Sequence, residues 1–123
     1  MTKAKQTPRP GRAARGSKTG RPIMALLDLL GRRWALRVVW ELREGPARFR
    51  DLRERCGGVS PTVLNDRLHE LRDAGVVERV DEDGYRATRE GAALLDALAP
   101  LDAWAARWAR RSDGHSARPS TAK

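Results

Sequence analysis

The chain has 123 residues, of which 40% are hydrophobic and 33% charged, enough for one small domain with a single core. No apolar run approaches the ~20 residues that span a bilayer, and the N-terminus lacks the apolar segment of a secretory signal, so we expect a soluble, cytoplasmic protein with no membrane partner. The lone Cys56 excludes an internal disulfide, and with only His69 and His115 beside it the sequence predicts no metal site and no cofactor.

The net charge of +9 is concentrated at the two ends of the chain. Residues 1–21 hold seven Lys or Arg and no acid, and residues 110–123 hold four against one acid, which leaves −1 for residues 22–109. Because residues 1–20 carry no hydrophobe larger than Met1, we expect them to form a disordered basic arm. We expect residues 21–111 to form the folded domain and residues 112–123 to form a disordered tail. The arm either follows a DNA minor groove or only raises solubility.

Helical spacing of apolar residues begins directly after the arm. Ile23, Leu26, Leu27 and Leu30 predict a first helix, which Gly31 ends or bends.

The segment from Arg32 to Gly45 predicts a second helix, which Gly45 and Pro46 stop. One apolar face of this helix faces the core, whereas Leu36 and Trp40 lie on a different side. A second apolar surface on so short a helix indicates a contact beyond the immediate core.

The segment "ARFRDLRERC", residues 47–56, predicts a short third helix. Phe49, Leu52 and Cys56 share its apolar face, and its arginines turn outward. We interpret Cys56 as a buried core thiol, with a redox sensor as the alternative.

A fourth helix is predicted over residues 61–74. Ser60 is a favourable N-cap, Pro61 suits the first helical position, and Gly75 is a favourable left-handed residue after the helix. Leucines at positions 64, 68 and 71 form one stripe that faces the core. The short polar residues that face away from this stripe are Thr62, Asn65, Asp66 and His69.

The remaining sequence predicts a hairpin and a long helix. "VVERV" and "YRAT" are joined by "DEDG", which indicates a β-hairpin with an Asp-Gly turn. From the N-cap Thr88 a helix should run to about Arg111, and Pro100 should bend or split it. Its apolar residues cover about half of its circumference, so a partner surface is expected.

The order of these elements is that of a winged helix-turn-helix domain, mainly α with a small β-hairpin wing. In that arrangement the fourth helix enters the DNA major groove. We then expect Asn65 to pair with adenine, Thr62 to contact a thymine methyl or a phosphate, and Asp66 to accept from a cytosine amino group, with His69 beside them. The alternative to DNA contact is that these polar residues only face solvent.

Residues 22 to about 108 resemble winged helix-turn-helix regulators of the HxlR family, which are related to the MarR type. The residues that carry the resemblance are "GRRW" (31–34), "EGPARFRDL" (44–52), "VSPTVLNDRLHELRDAGVVER" (59–79) and "TREGAALL" (88–95). The resemblance implies a homodimeric bacterial transcription factor that binds double-stranded DNA, with N- and C-terminal dimerisation helices. The dimerisation residues expected here are Ile23, Leu26, Leu27, Leu30, Leu98, Leu101, Trp104 and Trp108.

This sequence departs from the family pattern at two places, and both limit which family properties we expect in this protein. Many members have a cysteine just before the proline of the first helix, where this chain has Arg21, so redox sensing is not carried over. The wing tip is acidic and should be repelled by the DNA backbone, so the phosphate grip should come largely from elsewhere. The expected phosphate contacts are Ser60, Arg33, Arg48, Arg50, Arg67, Arg72, Arg79 and Arg86.

Other function classes fit these residues less well. The sequence does not favour an enzyme, since Ser60, Asp66 and His69 share a helix but Ser60 acts as a cap and no pocket is implied. A winged helix used only for protein–protein interaction is the main alternative. A further alternative is control by a small-molecule effector, with Trp40, Trp104 and Trp108 lining a pocket at the dimer junction, although aromatic residues at helical spacing more often belong to a core.

Overall fold

The computed structural model describes residues 21–116, and the side chains of residues 21–112. The predicted basic arm, residues 1–20, lies outside the described residues, as do residues 117–123. No helix in the described part is long and apolar enough to cross a membrane.

Five helices and three short strands make up the described chain. In chain order they are α1 (Pro22–Leu30), α2 (Ala35–Glu41), β1 (Ala47–Arg48), α3 (Phe49–Cys56), α4 (Pro61–Asp73), β2 (Val77–Arg79), β3 (Gly84–Ala87) and α5 (Arg89–Ser116). The mainly helical winged fold predicted from the sequence is therefore confirmed.

The core lies between α2, α3, α4 and the sheet. Burying these aliphatic side chains supplies the main driving force for the fold. Its fully buried large side chains are Val38, Val39 and Leu42 from α2, Leu52 from α3, Val59, and Leu64, Leu68 and Leu71 from α4. The predicted leucine stripe of α4 and the predicted burial of Cys56 are both confirmed.

The sheet has three antiparallel strands in the order β1-β3-β2. The sequence predicted only the hairpin of β2 and β3, and it placed Ala47 and Arg48 in the third helix, which was wrong. These two residues pair with Tyr85 and Gly84 of β3, and α3 begins only at Phe49. The Phe49 amide then donates to the Asp83 carbonyl at 2.8 Å, which ties α3 to the wing.

The tip of the wing also differs from the prediction. Gly84 is the first residue of β3 and not part of an Asp-Gly turn. Instead, the Asp81 carboxylate accepts from the amides of Asp83 and Gly84, at 3.2 and 2.9 Å, so that its side chain closes the loop.

Helix α5 is longer than predicted. The predicted N-cap is confirmed, because Thr88 Oγ1 accepts from the Gly91 amide at 3.0 Å and donates to the Gly75 carbonyl at 2.6 Å. The helix continues through Pro100 to Ser116 without a split, which leaves the bend as a prediction, and the predicted end near Arg111 was wrong. Pro100 and Asp96 are exposed, so water can bond the carbonyl that the proline leaves without its helical donor.

Candidate nucleic-acid interface

The ends of α4 are fixed by local contacts. Ser60 Oγ accepts from the Val63 amide at 3.1 Å, and Pro61 occupies the first helical position. Gly57 and Gly58 in the preceding turn have φ of 71° and 121°, and Gly75 after the helix has φ of 82°. Left-handed backbone favours glycine, so these residues allow α3 to turn into α4 and α4 into the wing.

The outer face of α4 is polar. Thr62, Asn65 and His69 are exposed, as the sequence predicted, whereas Asp66 is only partly exposed. The cap leaves Ser60 exposed at the start of this face, with its hydroxyl proton available to a phosphate. Whether these side chains contact DNA stays a prediction.

The arginines expected to grip phosphates divide into two groups. Arg33, Arg48, Arg50 and Arg72 are exposed. Arg67 is not, since its side chain is 12% exposed and its Nε lies 3.3 Å from the Glu70 carboxylate. We therefore remove Arg67 from the set of phosphate contacts.

The wing arginines are engaged within the wing. The Arg79 guanidinium donates to the carbonyls of Asp81 and Glu82 and lies over the Tyr85 ring. Arg86 Nε lies 2.7 Å from Glu78 Oε2 in an exposed ion pair, which water and salt weaken. Arg86 can therefore give up its contact with Glu78 and bind a phosphate more readily than Arg79 can give up its contacts with the wing tip.

Sequence reasoning missed a buried ionic cluster beneath α4. Glu70 is 5% exposed, and within the described part of the chain it is the one charged residue that is buried. Its Oε2 lies 3.1 Å from Arg32 Nη1, and Arg32 Nη2 lies 3.8 Å from Asp28 Oδ2 of α1. Glu70 sits on the flank of α4 between the leucine stripe and the polar face, a position from which the sequence alone does not say whether a side chain is buried.

The residues expected at a dimer interface are apolar side chains on α1 and α5. Leu26, Leu30 and Leu98 are partly buried, whereas the rings of Trp104 and Trp108 are exposed and stack with centroids 5.6 Å apart. The other exposed members are Ile23, Leu27 and Leu101.

A groove of about 440 Å³ lies between α2 and α5. Its walls include Leu36 and Trp40 from α2 and Leu98, Leu101 and Ala105 from α5. The second apolar side predicted for α2 therefore faces α5. Of the three tryptophans expected around a pocket, Trp40 lines this groove, whereas Trp104 and Trp108 do not.

No group of His, Cys, Asp and Glu side chains within residues 21–112 is arranged to hold a metal ion. Cys56 is a free, buried thiol, and burial raises its pKa above the ordinary value of 9.0, an effect that Arg37 partly offsets and Glu41 reinforces. A raised pKa keeps the thiol protonated and unreactive, which argues against the redox alternative.

Comparison with known proteins identifies the family. The model of the HxlR-like helix-turn-helix family matches residues 29–113. The chain belongs to this family. Its winged-helix members are transcriptional regulators and not enzymes, so this protein is an HxlR-like helix-turn-helix transcriptional regulator.

Two curated relatives from Bacillus subtilis illustrate the similarity. The uncharacterized HTH-type transcriptional regulator YvaP is 34% identical over 88 residues, which cover 67% of this chain and 82% of the relative. The HTH-type transcriptional regulator YodB is 33% identical over 92 residues, which cover 70% of this chain and 82% of the relative.

Solved structures share the fold. Quinone-bound YodB from B. subtilis superposes with a TM-score of 0.63 at 33% identity, covering 69% of this chain and 96% of that one. A possible HxlR family transcriptional factor from Thermoplasma volcanium gives a TM-score of 0.61 at 31% identity, covering 69% of this chain and 82% of that one.

Proposed function

We propose that this regulator binds double-stranded DNA as a homodimer and reads base sequence with α4 in the major groove. The observation that carries the proposal is the exposed polar face of Thr62, Asn65 and His69 on a helix whose opposite side is anchored in the core. A helix presented in this way after a tight turn is the recognition helix of a helix-turn-helix domain. The proposal places the protein in the cytoplasm, on the DNA that it regulates.

In this proposal each polar side chain of α4 contacts a different part of the DNA, according to its position along the helix. Asn65 has the amide geometry to pair with an adenine edge, Thr62 offers a methyl and a hydroxyl, and His69 offers a ring nitrogen one turn further on. Asp66 retains the proposed role of accepting from a cytosine amino group, although its partial burial restricts how far it reaches.

Phosphate contacts come from the exposed arginines around α4. Arg33, Arg48, Arg50 and Arg72 carry full charges at the surface, and Ser60 lies at the N-terminus of α4, where a phosphate is favoured. Arg86 joins them when its exposed pair with Glu78 opens. The acidic wing tip stays away from the backbone, because like charges repel there.

The homodimer would form through the apolar surface of α1 and α5. Exposed side chains at Leu27, Leu101, Trp104 and Trp108 favour burial against a second copy. Two copies would place two α4 helices on one face, as a two-fold operator requires.

A small-molecule effector is part of the proposal, with the groove between α2 and α5 as its site. The volume of about 440 Å³ falls within the range of ligand pockets, and the walls are largely apolar. A similar structure, that of YodB, was solved with a quinone bound.

A gel-shift titration with the DNA upstream of the gene tests base reading. In the double variant Thr62→Ala/Asn65→Ala we expect the preference for this DNA over a scrambled fragment to fall at least about ten-fold, since each good base contact is worth about 1–3 kcal/mol. Affinity for the scrambled fragment should stay unchanged, because the arginines remain. Asp96→Ala, exposed on α5, is the control. A double variant with unchanged preference contradicts the proposal and favours a winged helix used for protein–protein interaction.

A further inference from the structure

We infer that Arg32, through its ion pair with buried Glu70, is a positioning residue that sets the orientation of α4 relative to α1 and α2. The inference rests on the proposed function, because it concerns the helix proposed to read DNA. It assigns a role to a residue outside α4 that the sequence analysis did not single out for base reading.

The leucine stripe alone leaves the orientation of α4 loosely specified. Contacts of Leu64, Leu68 and Leu71 hold α4 against the core, but apolar contacts have little directional preference. A small roll of α4 about its axis would keep these side chains buried. It would also move Asn65 and His69 away from the positions from which they could reach base edges.

Glu70 receives a charged contact from outside α4, which the leucines do not supply. Arg32 Nη1 lies 3.1 Å from Glu70 Oε2, on the flank of α4. Arg67 Nε lies 3.3 Å from Glu70 Oε1, but this contact lies within α4 and does not have hydrogen-bond geometry. The contact that ties Glu70 to another element is therefore the one with Arg32, and it links the flank of α4 to the turn between α1 and α2.

The turn that carries Arg32 is itself sterically determined. Gly31 ends α1, where an added Cβ would lie 2.8 Å from the Leu27 carbonyl oxygen, too close for any other residue. Trp34, directly before α2, has a φ of 76°, a left-handed conformation that a bulky residue adopts only when its surroundings enforce it. Trp34 packs against the core and the Arg33 guanidinium lies over its ring. Arg32 thus projects from a well-defined turn.

The geometry of the cluster requires a guanidinium. Its two terminal nitrogens face two different carboxylates, Glu70 of α4 and Asp28 of α1, at 3.1 and 3.8 Å. The single ammonium of a lysine has the same charge but lacks this fork, so it would satisfy one carboxylate at a time. Arg32 therefore connects α1, the turn and α4 in a way that charge alone does not reproduce.

The burial of these groups argues for positioning over stability. The side chains of Arg32 and Glu70 are 13% and 6% exposed, so both lose most of their hydration. Desolvation commonly cancels the attraction within such a pair, and replacing both partners by apolar residues is often neutral for stability. What the pair can contribute is a specific geometry.

The test compares single and paired replacements in the full chain. Arg32→Met alone leaves Glu70 buried beside one poorly aligned arginine, and we expect the Tm to fall by more than about 10 °C. In Arg32→Met/Glu70→Met both charges are gone, and we expect a Tm within about 5 °C of the unsubstituted protein. This double variant removes the Arg32–Glu70 contact without leaving either partner buried and unpaired, while Asp28 and Arg67, 14% and 12% exposed, each lose one contact and keep some access to water.

Hydrogen exchange then reports how firmly α4 is held in the fold, without DNA. In the double variant we expect faster exchange of the amides of α4 and of the α1–α2 turn, with the amides of α5 unchanged. Exchange as slow as in the unsubstituted protein would overturn the inference. Glu41→Gln, which breaks the exposed Arg37–Glu41 pair away from α4, is the control and should leave exchange in α4 unchanged.

DNA binding supplies the second readout. We expect the preference of the double variant for the upstream DNA to fall by about ten-fold or more, equivalent to losing one paired base contact, while affinity for scrambled DNA is retained. Arg32→Lys should restore the Tm relative to Arg32→Met but not the full preference. Full preference in the double variant would likewise overturn the inference. If the unsubstituted protein itself shows no preference, the proposed function fails, and the exchange measurement alone decides this inference.

Discussion

The thiol of Cys56 shows how a single side chain is constrained by its position. It lies at the end of α3, 2% exposed, among the aliphatic side chains of the core. Burial disfavours the thiolate and raises the pKa of Cys56 above 9.0, Arg37 lowers it in part, and Glu41 raises it. At neutral pH the group therefore behaves as a small hydrophobe.

Thiol labelling tests this description. We expect a disulfide reagent at pH 7.5 to modify the native protein at least about 100-fold more slowly than the protein unfolded in urea, because reaction requires local opening. Native protein that reacts as fast as the unfolded chain would show that Cys56 is accessible.

The same raised pKa makes a prediction about alkaline stability. The unfolded chain ionises its thiol at the ordinary pKa of 9.0, whereas the folded chain resists ionisation. The stabilisation is therefore fully present below pH 9 and is lost as the pH rises through the higher folded pKa. In Cys56→Ala the free energy of unfolding, measured by urea titration from pH 7 to 11, should decline less at the alkaline end. An identical decline in both proteins would contradict the prediction.

At the scale of elements, the sequence predicts best where the determinants are local. Helix α4 follows from Ser60, Pro61, the leucine period and Gly75, all within or next to the helix. Strand β1 could not be predicted in this way. Its two residues have no strand period, and they form a strand only because Tyr85 and Gly84 pair with them from a distant part of the chain.

The candidate site shows the same limit. Helical geometry places Thr62, Asn65 and His69 opposite the leucines, and all three are exposed. The same geometry leaves Arg67 and Glu70 on a flank, where burial depends on what packs against it. That neighbour is the turn bearing Arg32, whose shape depends on the left-handed Trp34, and no local pattern indicates it.

The junction between the wing and α5 makes a prediction at this scale. A Cβ added at Gly91 would lie 2.1 Å from the Val76 carbonyl oxygen, a backbone atom that cannot move aside cheaply. We expect Gly91→Ala to lower the free energy of unfolding by about 1–3 kcal/mol or more, as overpacking does, even though alanine favours helix. Urea titration measures this, with Ala93→Ser, exposed on α5, as the control. A stabilised Gly91→Ala variant would show that α5 does not begin so close to β2.

At the scale of the whole molecule, the apolar surface of α1 and α5 exceeds what the described chain covers. Trp104 and Trp108 are 51% and 59% exposed and stack on each other near the end of the fold. Exposed aromatic patches of this kind are characteristic of protein interfaces.

The proposed dimer can be tested on these two rings. We expect Trp104→Glu/Trp108→Glu to sediment as a monomer at micromolar concentration, because four carboxylates would face one another across a two-fold contact. The control is Arg110→Glu, which lies on the opposite side of α5 and should leave the dimer unchanged. A dimeric double variant would place the interface elsewhere.

The close fit at the start of α5 has a mechanical consequence. The helix has 28 residues, and among its described side chains those of Leu94 and Leu95, in its first turns, pack against the core. Because a helix rises 1.5 Å per residue, a tilt of about 5° at that seat displaces the far end by roughly 3 Å. In the proposed dimer, a small change in tilt where Gly91 approaches the Val76 carbonyl would therefore change the spacing between the two DNA-reading helices.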